Sequence, residues 1–195
     1  KMSAFIQREF DFQAGVYFQN SFLMNFYNFS LYMEVNTENA HEQNVALDRV
    51  KYFIYEILEN AIFVQDTETE ITKKYIDAGL KVCPIPEEPY DQIIALLLML
   101  KINAICENRL KINEILFTSR LSDDVKFKEF IQTAENTFNN GWYTDPGPWL
   151  NTDLKKSGQE KIVKIKNNGW NEFGLQWKEK KDKPKEILFL VDPNK

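Results

Sequence analysis

Apolar and polar residues alternate along two early stretches of the chain. Phe10, Phe12, Ala14, Val16 and Phe18 are spaced by Asp11, Gln13, Gly15 and Tyr17. Phe29, Leu31, Met33 and Val35 are spaced by Ser30, Tyr32 and Glu34. A period of two puts every second side chain on one face, the pattern of a strand with one buried side. The two stretches are close enough in sequence to pair as an antiparallel hairpin, with residues 1–9 as a lead-in and residues 19–25 as the connection. Residues 36–44 are polar and read as a loop. The period then changes. Leu47, Val50, Phe53, Ile54, Ile57, Leu58 and Ala61 recur at helical spacing, and Asn44 stands where a cap belongs, so a first helix is expected over residues 45–63.

Residues 66–90 read as irregular. D-T-E-T-E-I-T-K-K is turn or short-helix material, and Gly79, Pro84, Pro86 and Pro89 interrupt any regular element. A second helix is expected over residues 90–107. It is apolar nearly all round, so it must be covered on more than one side. A third strand falls at residues 111–119, carrying Ile112, Ile115, Leu116 and Phe117. Ser122 can cap a helix running through Phe127, Phe130, Ile131, Ala134 and Phe138, with Gly141 as its stop. A fourth strand of the core sheet has two candidate places, residues 125–130 and the C-terminal region. Residues 142–158 read as a loop. Residues 161–166, 171–180 and 186–191 are strand-like, joined by turn material, and read as an antiparallel meander. The expected fold class is α+β: an antiparallel sheet with two helices on one face over residues 1–121, followed by an extension over residues 122–195.

Length and composition narrow the function classes. A chain of 195 residues suits one domain or one domain with an extension, and 44% apolar content supplies a sizeable core. The net charge of −5 argues against nucleic acid or an anionic membrane as partner. The longest apolar run, residues 93–100, is too short to span a bilayer, and no secretory apolar segment stands at the N-terminus. Cys83 and Cys106 are too few for a disulfide framework, so a cytoplasmic, reducing setting is expected. His41 is the only histidine, and zinc sites draw on several His or Cys ligands, so no zinc site is expected, and no cofactor is expected either. An all-oxygen magnesium or calcium site stays open, because acidic residues are plentiful.

Among single residues, Cys106 reads as core, His41 as a solvated side chain, and Glu87 and Glu88 as charges at a helix N-terminus. The Lys-rich residues 180–185 read as a hairpin tip. Trp142, Tyr143 and Trp149 read as a seal on the core edge, with stacking on a planar ligand as the alternative.

The order of elements through residue 121 resembles the tunnelling fold, specifically the 6-pyruvoyltetrahydropterin and 6-carboxytetrahydropterin synthase family. Phe10, Phe12 and Ala14 match its opening F-x-F-x-A-A-H strand. Asn28 and Phe29 match the end of its H-G-H-N-Y, and Leu31, Met33 and Val35 continue the alternation. Residues 58–66 stand against L-D-H-x-x-L-N-D, and residues 112–119 against a strand ending in E-T. The departures are as informative. The family's three zinc histidines fall at Val16, Asn25 and Tyr27, its cysteine at Ser21, and its Asp-His pair at Glu59 and Asn60. The glutamate that anchors the pterin falls at Thr118, with Glu114 as the nearest carboxylate. Cys83, in V-C-P-I-P-E-E-P-Y-D, is similar to the catalytic-cysteine segment of the tunnelling-fold nitrile reductase; the competing reading is a small, half-buried residue in a proline-shaped loop.

The resemblance implies a binding or structural protein that keeps the scaffold without the zinc enzyme. One alternative is a tunnelling-fold enzyme acting on a purine- or pterin-like substrate through Cys83, Glu59 or Glu114. Another is a protein-binding module that uses the aromatic C-terminal region. The resemblance also implies a homo-oligomer formed by sheets joined edge to edge. Long edge strands give an independent reason, as do Tyr17, Phe26, Tyr27 and Tyr32, expected on outer faces.

Overall fold

The hairpin is longer than its alternation implies. The computed structural model describes residues 4–150 and 169–177. In it β1 (Ala4–Phe18) and β2 (Ser21–Val35) pair antiparallel along their whole length, with Phe10 opposite Phe29 and Phe18 opposite Ser21. The turn is only Gln19 and Asn20, both at positive φ (48° and 61°), as a two-residue hairpin turn requires. Residues 4–9 of the expected lead-in and residues 21–25 of the expected connection are therefore strand. Phe22, Leu23 and Met24 are consecutive apolar residues, and they hide the period of two. Tyr27 is also corrected: it lies on the core face, 2% exposed, stacked on Phe12 at 4.8 Å.

The first helix, α1 (Ala40–Tyr52), starts and stops earlier than expected. Asn39, not Asn44, is the cap, its Oδ1 accepting the His41 N–H at 2.9 Å. The helix continues as a π-helical turn, Phe53–Leu58, and ends at Asn60, whose φ is +60°. The apolar run that follows is a strand, β3 (Ile62–Gln65). A short, wholly apolar run cannot be told from helix by its period, which is why the expected helix ran on to residue 63.

In the stretch expected to be irregular, the short helix offered as one reading of residues 66–74 is present as α2 (Thr69–Asp77), and the proline-interrupted part holds a strand, β4 (Val82–Ile85). β3 pairs parallel with β1 at Gly15 and Val16, and β4 pairs parallel with β3. Pro84 is tolerated because β4 is an edge strand, where a missing N–H breaks no ladder. Then α3 (Asp91–Cys106) and β5 (Leu110–Ser119) follow where expected, β5 antiparallel to β2. The single helix expected from Ser122 is instead a turn, a strand β6 (Phe127–Phe130) and a short helix α4 (Ile131–Thr137). Asp123 and Asp124, at φ 51° and 57°, form the break. The fourth antiparallel strand thus lies near residues 125–130, paired with β5.

The fold is α+β, with sheet order β4-β3-β1-β2-β5-β6. One face is buried by α1, its π-helical continuation and α3, with Phe10, Phe12, Phe29, Phe63 and Phe117 at the centre. α2 packs on the opposite face through Ile71, Tyr75 and Ile76 against Ile62, Val64 and Val82. The rest of that second face, on β1, β2 and β5, carries no helix among the described residues. Trp142 and Tyr143 are buried, and Trp142 Nε1 donates to the Pro84 carbonyl at 2.8 Å, so this part of the aromatic loop seals the core. The expected strands at 161–166 and 186–191 lie outside the described residues. The described part of the middle one, residues 171–177, is not a strand but a 3-10 turn, Trp170–Phe173, and an extended stretch. No helix among the described residues is long and apolar enough to cross a membrane.

Candidate functional site

The open face of the sheet carries a row of polar side chains. Asp11 on β1 lies opposite Asn28 on β2, which lies opposite Thr118 on β5. Tyr55 and Glu59, from the π-helical turn and its cap, close one end of the row. Arg120 and Asp124, in the turn after β5, close the other. Together they line a half-open cleft of about 480 Å³.

Local structure explains how each wall is held. The Glu59 carboxylate accepts the main-chain N–H of Gln13 at 2.9 Å, and Asn60 N–H donates to the Gln13 carbonyl at 2.8 Å. These two bonds dock the end of the π-helical turn onto the edge of β1. On the far side, Arg120 N–H donates to the Phe26 carbonyl, and its guanidinium lies 4.6 Å over the Phe26 ring. No carboxylate of the described residues lies within ion-pair distance of it. Thr118 Oγ1 is buried and has no hydrogen-bond partner among the described residues. A buried hydroxyl without a partner is costly and is satisfied by anything that fills the cleft with a donor or acceptor. The cleft therefore offers three carboxylates, one guanidinium, the rings of Phe12, Phe26, Tyr27 and Tyr55, and the buried hydroxyls of Thr118 and Tyr27, which have no hydrogen-bond partner among the described residues.

Two expected site residues meet here. Glu59 and Thr118 come from separate elements, and the fold brings them to one cleft. Glu114 does not join them. It lies further along β5, opposite Tyr32, in an ion pair with Lys128 at 3.0 Å. Cys83 is also elsewhere. It is not in a loop and not half-buried: it sits in β4, fully buried, and burial pushes its thiol pKa well above the ordinary range. Sequence reasoning missed Asp11, Tyr55, Arg120 and Asp124. Asp11 signals only as a polar position of an alternating strand, while Tyr55 lies in the π-helical turn and Arg120 and Asp124 in the turn after β5, where no local pattern marks a site.

The places where the resemblance puts zinc ligands are packed. Val16, Asn25 and Tyr27 face the core, at most 4% exposed. The Asn25 side-chain carbonyl accepts from Phe26 N–H and Leu121 N–H, at 2.9 and 3.1 Å, tying β2 to the turn after β5. Burial pushes the Tyr27 hydroxyl pKa up, opposed by Asn25 and assisted by Asp91 and Cys83. Asp91 opens α3 and accepts from Ser119 and Ser122 at 2.7 and 2.6 Å. It is the acidic residue of the first helical turn, the place expected for Glu87 and Glu88, which precede the helix. Ser21 is exposed at the hairpin tip. His41 sits in the first turn of α1, and Cys106 is core.

A second, shallower depression of about 420 Å³ is lined by Asn36, Thr37, Glu42, Glu107 and Arg109 among others. Its charges are already engaged, Arg109 with Glu42 at 3.8 Å and Glu107 with Arg49 at 3.0 Å.

No protein-family model matches the sequence, and no curated protein matches it. Among solved structures it is similar to that of an uncharacterized protein from Wolinella succinogenes, at 15% identity and a TM-score of 0.46, over 67% of this chain and 99% of that one.

Proposed function

We propose that the chain is a non-catalytic, tunnelling-fold-like binding protein that acts as an oligomer and holds a planar purine- or pterin-like ring in the cleft between Glu59 and Thr118. The observation that carries this reading is the meeting of Glu59 and Thr118, two of the positions the resemblance singles out, beside Asp11 and Arg120, which form no ion pair among the described residues. With β3, α2 and β4 set aside, which stand between α1 and α3, the antiparallel run β1-β2-β5-β6 follows the element order of the resemblance. Carboxylates and a hydroxyl along one wall suit a ring edge rich in N–H donors, and Tyr55 and Phe26 supply apolar ring surface. The position of Cys83 favours binding over catalysis: a buried thiol held protonated is no nucleophile.

Binding is tested by native mass spectrometry of the purified protein and by titration with purines and pterins. Loss of one hydrogen bond to a charged group is worth about 1.5–3 kcal/mol, so Asp11→Asn is expected to weaken binding roughly 10- to 100-fold. A folded protein that binds neither ring class at millimolar concentration removes the proposal and favours the protein-binding module. Turnover of a purine that disappears in Glu59→Gln favours the enzyme instead.

The oligomer has its own support. Outside Gly15 and Val16, β1 pairs with nothing on its outer side among the described residues, apart from the contacts to Gln13. Main-chain donors and acceptors over residues 5–11 are left for another strand. Light scattering at micromolar concentration is expected to give a multiple of 23.0 kDa; a mass near 23.0 kDa itself ends this part of the reading.

A further inference from the structure

The tip of the β1–β2 hairpin is built unlike the rest of the surface. The chain is 27% charged, yet residues 12–33 contain no Asp, Glu, Lys or Arg. At the tip Phe22, Leu23, Met24 and Phe26 are 42–46% exposed, and Leu121 and Val125 of the neighbouring turn are 50% and 52% exposed. Phe22 is held in place: its ring lies against Gly15, where a Cβ would come within 2.4 Å of it, and 6.3 Å from the Tyr75 ring. The main chain is open as well. β5 pairs with β2 only from Tyr27 onward, and its last bond in this direction runs from Arg120 N–H to the Phe26 carbonyl. By strand alternation the N–H and C=O groups of Phe22 and Met24 point the same way as that carbonyl, and they have no partner among the described residues.

We infer that this tip is a docking surface for a second copy of the same chain, the two β2 strands pairing antiparallel about a two-fold axis at Leu23. Exposed strand edges in monomers are guarded by charges, proline or a bulge, and this one has none of them. Residues 12–33 bring no charge of their own to this edge, so two copies of the strand meet without like-charge repulsion between them, whereas a strongly charged partner would find no complement on the strand. The edge is self-complementary. Phe22 of one copy faces Met24 of the other in a hydrogen-bonded pair, and the reverse pair follows by symmetry, so all four open main-chain groups on each strand are used. Leu23 then faces Leu23 of the second copy across a non-hydrogen-bonded pair. With large side chains offering 150–250 Å² each, the half-exposed set supplies roughly 500 Å² per copy, near the lower bound of a specific interface. This contact is separate from the outer edge of β1.

The geometry sets its own test. A non-hydrogen-bonded antiparallel pair has a Cα separation of about 4.5 Å, within the range a disulfide spans. Cys83 and Cys106 are fully buried, so Leu23→Cys adds the one exposed thiol among the described residues. Mild oxidation of Leu23→Cys at micromolar concentration is expected to give a covalent dimer as the main product. Phe22→Glu/Met24→Glu, with circular dichroism confirming the fold, is expected to raise the dissociation constant of the dimer at least tenfold. A Leu23→Cys protein whose thiol reacts with a soluble reagent but forms no dimer overturns the inference. So does an oligomer whose mass the double-glutamate variant leaves unchanged, since that assembly uses another edge.

Discussion

Lys101→Met is expected to destabilise the protein by about 3 kcal/mol, because it strips the donors from several buried carbonyls at once. Lys101 lies in the middle of α3 and is 0% exposed. Its three N–H donors go to the carbonyls of Trp142, Asp145 and Gly147, at 3.1, 2.8 and 2.7 Å. The Phe53 and Trp142 rings flank it at 5.7 and 5.9 Å. One lysine side chain thus pins the 142–147 loop to the core, with three donors as the ammonium and two as the neutral amine, and methionine keeps the volume without the donors. For a chain of this size, 3 kcal/mol corresponds to a fall in Tm of roughly 6–12 °C. Calorimetry reads it, and a change below about 2 °C would show that the loop needs no pin. Burial draws the lysine pKa down to about 7, opposed by Asp145 and then Cys83, from an ordinary value of 10.5. Between those values the unfolded chain holds a proton that the native lysine has shed. Stability of the native protein should therefore rise with pH above about 7, relative to the methionine variant, and level off near 10.5.

Arg49→Ala should cost about as much, by releasing residues 169–177 from α1. The Arg49 side chain is 4% exposed. Its Nε donates to the Leu175 carbonyl at 2.7 Å, and its Nη1 to the Ile105 carbonyl at 3.2 Å and to Glu107 at 3.0 Å. The guanidinium also stacks 3.8 Å from Trp177 and 5.0 Å from Trp170, and the Trp177 indole N–H donates to Glu107. Removing one member of a buried charge pair costs about 3–5 kcal/mol; the low end applies, because Glu107 is 37% exposed and water can reach it. Arg49→Lys recovers little of the loss, since an ammonium has neither the planar fork nor the stacking face. The specific sign is faster proteolysis within residues 169–177 and a red shift in tryptophan emission. A variant that melts lower but is cleaved no faster would place the role of Arg49 in α1 alone.

Both residues look ordinary in the sequence. Lys101 reads as a lone charge on an apolar helix, and Arg49 as one side chain of a mostly polar helix face. Their partners lie 41 to 126 residues away, and no local period encodes such a distance. The same limit hid the cleft. Asp11, Asn28 and Thr118 become neighbours only through strand register, and Tyr55 and Glu59 reach them only because a π-helical turn docks on the edge of β1.

The sequence by itself determined what depends on short-range periodicity: the β1–β2 hairpin, the all-round burial of α3, the strand β5 and the α+β class. Phe10 through Val16 and Phe29 through Met33 bury the alternate positions that the pattern marks. Where two elements share the same local signal, only the tertiary structure decided between them. The run from Ala61 to Val64 is apolar enough for helix or strand, and β1 claimed it as a parallel neighbour at Gly15 and Val16. Phe127 and Phe130 are spaced for a helix, yet the free edge of β5 took them as β6. Cys83 is near prolines and reads as loop, but pairing beside Phe63 made it a buried strand residue. In each case the deciding term is main-chain hydrogen bonding and burial supplied by a distant segment, which outweighs the small differences in local propensity.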